Sequence, residues 1–465
     1  MSLVNFPNTL AARPARAPEG ADVNGALPRA PLTQEETGLP ASFLVELTAK
    51  VMFQLGLTRL TDLAQQMCLS AAVVESLCQF MRRESIVEIV RRGQHEADVQ
   101  YELTQGGRQR AADWLARNQY VGPAPVSLDV YVERVRAQSV TQQHFNVHDV
   151  HAALGGVLVP EALIDQLGTA MNSGRPILLH GPAGSGKTYL AGCLQKLLRG
   201  AIAIPHAILV HGEVIRVFDE HWHRTLPPPA TLTPSALDSR ARPDARWVLC
   251  ERPVVMAGGE LTLAMLDLSF DARAGYYEAP PHFKANNGLF IVDDLGRQMV
   301  QPQDLMNRWI VPMERRHDYL MLRNGGKFQI PFDLVLVFAT NLRPAELADG
   351  AFLRRLGNKI EIGPLPELYY RRVFEAACAD EQVAFDADAY RRLLKKCHHR
   401  LQRPLLACTP RDLVHLVASR AAYLGLPAAL TPELLDWAWH TYFGASGSAD
   451  ASPADTDSSQ HGVVS

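Results

Sequence analysis

The stretch GPAGSGKT at residues 181–188 constrains the fold of this chain more than any other part of the sequence. It follows the apolar run PILLH and precedes YLAGCLQKLL, whose apolar spacing is typical of a helix. The stretch fits the pattern G-x-x-x-x-G-K-[ST], and the flanking runs supply the strand and helix that this pattern requires. A glycine-rich turn with an incidental lysine is the weaker interpretation, because it leaves that context unexplained.

The loop predicts a binding site for the phosphates of a nucleotide. Glycines allow the backbone to curl so that its N–H groups face an anion, and the start of a helix favours negative charge. Lys187 is expected to reach the β- and γ-phosphates, and the Thr188 hydroxyl to bind Mg²⁺. The expected phosphate-lining residues are Gly181, Pro182, Ala183, Gly184, Ser185 and Gly186.

A second apolar run ends in two acids, GLFIVDDLG at 288–296. Its apolar part suits a strand that is buried on both faces. We expect Asp293 to hold Mg²⁺ through water, and Asp294 to orient or deprotonate the attacking water. The alternative for the two acids is a solvated turn after a strand.

A third apolar run, DLVLVFATN at 333–341, ends in an amide. Asn341 could hold the nucleophilic water against the γ-phosphate. Asparagine is also a common turn residue after a strand, and this alternative stays open.

Together the phosphate loop, the acid-ended strand and the strand ending in ATN resemble an AAA+ ATPase over residues 150–443. The resemblance implies hydrolysis of ATP with Mg²⁺. It also implies a homo-oligomeric ring, expected to be a hexamer.

The same resemblance extends to two arginine-bearing segments. DGAFLRRLGNKIEI at 349–362 resembles the arginine-finger segment, with Arg354 and Arg355 as candidates. TPRDLVHLVASRAAYL at 409–424 resembles the sensor-2 helix, with Arg411 near its start. Thr409 and Pro410 fit the N-cap and first position of that helix. The alternative is that these arginines are surface charges.

The stretch before the acids, GYYEAPPHFKANNGLFIVDD at 275–294, is similar to that of MoxR-like ATPases and bacterial enhancer-dependent activators. Hairpins are predicted at 207–219 and 317–333. The resemblance makes Met256–Tyr277 a candidate pore-facing segment, with Tyr276 and Tyr277 as contact or packing residues.

Two features depart from these families. Asp294 stands where AAA+ proteins usually carry Glu, and the activator pore tip GAFTGA is absent.

Residues 41–120 predict helices, then a β-hairpin split by the turn GQHEA, and a final helix, which resembles a winged-helix module. The module contains nine Lys or Arg and nine Asp or Glu. Non-specific DNA affinity needs a basic face, so docking of a protein is favoured over DNA binding. The whole layout resembles bacterial proteins described as ATPases with chaperone activity.

The predicted fold is therefore an α/β nucleotide-binding core, with a parallel sheet and flanking helices, at 145–363. A helical lid follows at 364–443, and the winged-helix-like module precedes the core at 41–120. Residues 121–144 are predicted to be a linker. Composition predicts disorder at 1–40 and 444–465.

Net charge, cysteine content and hydropathy indicate the cellular compartment. The net charge is −3, which gives no sign of a nucleic-acid or membrane-surface protein. Seven cysteines without a CxxC pair indicate reduced thiols, and no signal peptide or membrane span is predicted, so we expect a cytoplasmic protein.

The predicted activity is remodelling or chaperoning of a protein client. The alternatives are an ATP-switched DNA-binding regulator and an ATP-binding scaffold with slow turnover.

Overall fold

A computed structural model describes residues 27–91, 99–227, 242–347 and 350–444. These residues form two compact units. The second unit comprises Gly155–Gln166, His180–Leu190 and the described residues from Glu361 onward, and the first unit comprises the rest.

The first unit begins with a small module of helices and short strands. In chain order its elements are α1 (Ala41–Leu55), β1 (Thr58–Arg59), α2 (Leu60–Met67), α3 (Ala71–Arg83), β2 (Val87–Arg91), β3 (Gln100–Leu103) and α4 (Gln105–Arg117). Strands β2 and β3 pair antiparallel, and β1 lies on the other edge of β3. The predicted helices and hairpin are therefore observed, and the predicted turn GQHEA lies outside the described residues.

Local sequence signals set the boundaries of this module. The Thr104 hydroxyl accepts a hydrogen bond from Gly107 N at 2.9 Å and caps α4. Ser70 caps α3 in the same way, as its position in the sequence indicates. Apolar residues at helical spacing, such as Leu44 and Leu47 of α1, are fully buried in the module's core.

Residues 27–40 fall in the segment predicted to be disordered, yet they are ordered. Arg246 is buried beside Asp244, and its guanidinium donates to Thr37 O at 3.0 Å. Ala30 N also donates to Arg242 O at 2.9 Å. A buried guanidinium needs carbonyl acceptors, and this segment supplies one, which corrects the predicted boundary. Residues 1–26 and 445–465 lie outside the described residues.

The predicted linker at 121–144 is also folded, which corrects a second boundary. It contains the next two elements, β4 (Val126–Ser127) and α5 (Leu128–Ala137). Ser127 caps α5, and Tyr131 and Val135 are buried in a core of the first unit. The Pro and Gly residues that suggested a linker are confined to its start, whereas its apolar residues pack on a sheet.

The remaining helices are α6 (Val147–Leu154), α7 (Glu161–Asn172), α8 (Lys187–Cys193), α9 (Pro281–Lys284), α10 (Pro302–Arg315), α11 (Pro344–Leu347), α12 (Gly350–Leu353), α13 (Glu367–Asp380), α14 (Ala387–Leu393), α15 (Cys408–Leu424) and α16 (Pro432–Phe443). Within the described ranges, none of them combines the length and apolar character needed to cross a bilayer.

The remaining strands are β5 (Ile177–His180), β6 (Ile202–Pro205), β7 (Ala207–Val210), β8 (Glu213–Arg216), β9 (Trp247–Cys250), β10 (Val254–Ala257), β11 (Ser269–Asp271), β12 (Tyr276–Glu278), β13 (Leu289–Val292), β14 (His317–Met321), β15 (Lys327–Pro331), β16 (Val335–Thr340) and β17 (Asn358–Glu361).

A five-stranded sheet in the order β10-β13-β16-β5-β17 forms the centre of the α/β fold. Strands β10, β13 and β16 run parallel in register, with Leu289 opposite Val254 on one side and Val335 on the other. All four residues of β13 are buried, as the apolar run predicts. The α/β class with a parallel sheet is thus confirmed.

The long segment between α8 and β13 adds strands outside this central sheet. It contributes the antiparallel pair β6–β9 and most of a second five-stranded sheet, ordered β11-β12-β8-β7-β4. Strands β7 and β8 form the predicted hairpin around His211-Gly212, and β14 and β15 form the other predicted hairpin.

The candidate pore-facing segment Met256–Tyr277 requires a correction at both ends. Met256 lies in β10, an edge strand of the central sheet. Tyr277 is buried, and its hydroxyl accepts from Arg323 N at 2.9 Å. Tyr276 is half-buried, so the segment is built into two sheets rather than projecting as one loop.

A buried charged cluster holds the β14–β15 hairpin. Asp318 on β14 receives two hydrogen bonds from Arg308 on α10, at 2.7 and 2.8 Å, and one from His282 on α9 at 2.9 Å. Burial disfavours the charged carboxylate, but these hydrogen bonds and charges outweigh it and lower the pKa of Asp318 to about 2. The carboxylate therefore links three elements of the first unit.

In the second unit, α13, α14, α15 and α16 pack around a shared core that includes Tyr370, Phe374 and Trp439. Helix α15 begins at Cys408, so the prediction that Thr409 caps it is wrong. Pro410 still lies in the first turn, where its missing N–H leaves no intrahelical bond unmade.

We predict that Asp318→Asn destabilises the protein by about 3 kcal/mol at pH 7, because it leaves Arg308 without its buried partner. The native pKa of Asp318 is depressed, so its contribution is complete above the unfolded pKa of about 3.9 and is lost as pH falls through about 2. Denaturant unfolding from pH 7 to pH 2 should show the difference between variant and parent shrinking below about pH 4.

Asp388→Asn is the matched control, because Asp388 is exposed and pairs only at the surface with Arg391. It should change stability by about 0.5 kcal/mol or less. A constant gap between Asp318→Asn and the parent at every pH would contradict the ionised role of Asp318.

Candidate functional site

The phosphate loop follows β5 directly and leads into α8. Gly184 and Gly186 have φ of 79° and 93°, in the left-handed region that favours glycine. The observed backbone therefore requires glycine at positions where the motif has it.

Close packing is a second reason for glycine in this loop. A Cβ on Gly184 would lie 2.4 Å from the Cys408 Sγ, and a Cβ on Gly181 would lie 2.2 Å from the Ile362 O. The Cys408 N–H also donates to Gly184 O at 3.0 Å. All these residues belong to the second unit, so the loop is tied to the start of α15.

Lys187 is held by the loop itself. Its ammonium donates to Gly181 O at 3.0 Å and to Pro182 O at 2.8 Å, and the side chain is buried. A buried ammonium attracts anions strongly because the local dielectric is low. Phosphate oxygens entering the loop would compete with these two carbonyls for Lys187, while Thr188 stands exposed on the first turn of α8.

A histidine ends β5 next to this lysine. Burial is the main cause that lowers the pKa of His180; Glu361 opposes the shift and Lys187 reinforces it. His180 is therefore neutral at pH 7, and Lys187 is the cation of the loop.

In the first unit, the structure brings together the acid and amide ends of two neighbouring strands. Asn341, after β16, donates from Nδ2 to Asp294 Oδ1 at 3.2 Å. Asp294 has φ of 48°, so the chain turns sharply after Asp293. The Thr340 hydroxyl fixes this turn by donating to Leu295 O at 2.6 Å.

Gln298, which sequence reasoning did not single out, stabilises the same turn. Its amide donates to Asp293 O at 3.0 Å and to Gly258 O at 3.2 Å, and it accepts from Gly296 N at 2.8 Å. Gln298 lies four residues after Asp294, and no sequence pattern around it predicts this role.

The three candidate arginines are in different surroundings. Arg354 is exposed after α12. Arg355 forms an ion pair with Glu314 of α10, a partner that the sequence did not indicate. Arg411 is exposed on the first turns of α15, in the unit that contains the phosphate loop.

The predicted site residues thus form two groups, each assembled within one unit. The loop 181–188 lies with Arg411 in the second unit, and Asp293, Asp294 and Asn341 lie in the first. Mg²⁺ commonly binds one or two carboxylates together with substrate phosphates and water. The Thr188 hydroxyl and the Asp293 carboxylate are each an oxygen donor of the type that Mg²⁺ prefers.

Comparison with known proteins yields one family match. A domain of unknown function, DUF8689, matches residues 366–441, which is the region of α13 to α16. No curated protein matches this chain.

Solved structures with some likeness include the RuvB Holliday junction branch migration motor of Thermotoga maritima, at 12% identity and a TM-score of 0.34. That match covers 60% of this chain and 68% of the RuvB chain. NtrX from Brucella abortus matches at 12% identity and a TM-score of 0.36, over 66% of this chain and 56% of NtrX.

We predict that Gly184→Ala destabilises the protein by about 1–3 kcal/mol, because alanine is strained at this φ and its Cβ would collide with Cys408. Gly192→Ala is the matched control: Gly192 lies in α8, and a Cβ added there would have nothing within 4 Å. This change should be neutral or stabilising by up to about 1 kcal/mol. Denaturant unfolding of both variants checks this. Equal effects would show that the loop is not tied to α15 as observed.

Proposed function

We propose that this chain is a Mg²⁺-dependent ATPase of the AAA+ class that works on a protein client. The observation that carries the proposal is Lys187, which is buried among the carbonyls of a glycine loop whose backbone requires glycine. A buried ammonium within a strand–loop–helix of this sequence suits the β- and γ-phosphates of a nucleoside triphosphate.

The sheet topology supports the same location. β5 precedes the other four strands of the central sheet in the chain, yet it lies between β16 and β17. In open α/β sheets, ligands bind beyond the carboxyl ends of the strands where the strand order reverses. The phosphate loop starts at that end of β5.

Hydrolysis requires a metal and a positioned water. In this proposal Thr188 and Asp293 hold Mg²⁺, which neutralises charge on the β- and γ-phosphates. The Asp294 carboxylate, oriented by Asn341, orients the water or accepts its proton. Asp294 is one methylene shorter than the usual Glu, so we expect slow turnover.

Assembly of several copies of this chain into a ring would give the exposed Arg354 a role in the site of a neighbouring subunit. An arginine supplied by a neighbouring subunit stabilises charge in the transition state of phosphoryl transfer. Arg355 pairs with Glu314 in its own chain, which leaves Arg354 as our preferred finger. We therefore propose a homo-oligomeric ring, as a hexamer, with Arg411 contacting nucleotide from α15.

For the winged-helix-like module at 41–120 we propose docking of the client protein. It exposes large apolar side chains on two helices and the turn after α1, namely Phe53, Leu55, Leu57 and Phe80. Exposed apolar residues are common at protein interfaces, whereas DNA binding needs a net basic surface. ATP-driven movement would then remodel or chaperone the client.

We predict that the protein hydrolyses ATP with Mg²⁺ and that Lys187→Ala abolishes this activity, because the γ-phosphate loses its cation. Lys196→Ala is the matched control, since Lys196 is an exposed lysine shortly after α8. It should keep the parent rate within about twofold. Phosphate release measured at several protein concentrations checks both variants.

Asp294→Asn in the same assay distinguishes an ATP-hydrolysing motor from an ATP-binding scaffold with slow turnover. If Asp294 orients the attacking water or accepts its proton, this variant binds ATP but hydrolyses it at least about tenfold more slowly. A parent protein that binds ATP yet releases no phosphate at any concentration would favour the slow scaffold and contradict the motor.

We predict that mixing two inactive variants restores activity if Arg354 acts on a neighbouring subunit. Arg354→Ala subunits keep an intact phosphate loop, and Lys187→Ala subunits keep an intact finger. Mixed rings contain complete sites, so phosphate release should partly recover. Replacing the second component by a Lys187→Ala/Arg354→Ala double variant is the control. Equal rates in the two mixtures would contradict an arginine finger at position 354.

A further inference from the structure

A pocket of about 500 Å³ lies in the first unit, and none of its lining residues belongs to the phosphate loop. Its walls come from residues 119–123 after α4, from the β7–β8 hairpin with its flanking residues, and from β12. This volume falls in the range of about 300–1,000 Å³ typical of small-molecule sites.

Aromatic rings form much of the lining. Tyr120 and Tyr276 meet edge to face at 5.6 Å and 83°, and His206 and Phe218 meet at 5.5 Å and 67°. The face of an aromatic ring carries partial negative charge and attracts cations. Burial lowers the pKa of His206, so this ring is neutral at pH 7 and does not repel a cation.

Among the described residues that line the pocket and their ion-pair partners, acidic groups outnumber basic groups by one. Arg216 pairs with Glu278 at 2.6 Å, and Lys284 pairs with Asp219 at 2.7 Å. Glu220 also lines the pocket, is exposed, and has no ion-pair partner among the described residues. The lining therefore favours a cation over an anion.

The aromatic walls are fixed before any ligand arrives. The Tyr120 hydroxyl donates to Pro123 O at 2.7 Å, and Gln119 N donates to Ala274 O at 2.7 Å, two residues before Tyr276. Gly275 has φ of 73° and packs against the end of α4. Pre-formed walls reduce the ordering that binding must overcome.

We propose that this pocket binds an organic cation, an alkylammonium or alkylguanidinium, between its aromatic rings and beside Glu220. The cation is either a free small molecule or a Lys or Arg side chain of a partner protein. None of the pocket's lining residues belongs to the proposed nucleotide site, and the test uses no nucleotide, so the two proposals can fail independently.

The test is calorimetric titration of the full chain with butylguanidinium and, as a neutral isostere, butylurea. We expect saturable binding of butylguanidinium below about 20 mM and binding of butylurea at least about tenfold weaker. Tyr276→Ala should weaken butylguanidinium binding about tenfold, whereas Tyr276→Phe, which keeps the ring, should stay within about threefold.

Glu220→Gln should weaken binding about threefold or more, because it removes the unpaired carboxylate. Glu213→Gln, in β8 but outside the pocket lining, is its matched control and should leave binding unchanged. Glu220 is exposed, so its variant tests the proposal even if Tyr276→Ala fails to fold.

Two tripeptides distinguish the sources of the cation: Gly-Arg-Gly and its neutral citrulline analogue. Selective binding of Gly-Arg-Gly supports a partner side chain, and binding of butylguanidinium alone supports a free small molecule. Equal binding of butylguanidinium and butylurea, absence of saturable binding, or unchanged affinity in both Tyr276→Ala and Glu220→Gln would overturn the proposal.

Discussion

The candidate site depends on the backbone conformation of the loop between β5 and α8. Left-handed glycines turn the loop around the Lys187 ammonium, and two of its carbonyls hold that ammonium. The loop keeps this shape partly because Gly184 lies against Cys408 at the start of α15. The same helix carries Arg411, so the loop and a candidate nucleotide contact are mechanically linked within the second unit.

The two acids after β13 depend on a different kind of support. Strand β13 is anchored at its beginning by a buried polar network around Asn287, whose side chain donates to Val135 O at 2.9 Å and accepts from Gln138 at 2.8 Å. Arg252 donates to Asn287 O at 2.7 Å. Paired polar groups of this kind fix a strand's position, because any shift would leave a buried group unsatisfied. Asn287, in the KANNG stretch before the acids, therefore has a structural role.

Residues whose roles follow from local pattern could be predicted from sequence. The run LFIV predicts a buried strand, and parallel strands place their carboxyl ends at one edge, which brings Asp294 to Asn341. Roles that depend on distant partners could not be predicted. Arg246 orders the segment at Thr37, 209 residues away, and Glu314 pairs with Arg355 across 41 residues. Composition alone made the first segment look disordered.

Every proposed role of this chain in ATP hydrolysis requires the loop at 181–188 to bind a nucleotide through its phosphates. Calorimetric titration of the full chain with ATP, ADP and AMP in the presence of Mg²⁺ tests it most directly. We expect ATP to bind at least about tenfold more tightly than AMP, because charge-assisted hydrogen bonds to the β- and γ-phosphates supply the affinity. Equal affinity for ATP and AMP, or no binding of ATP, would contradict it.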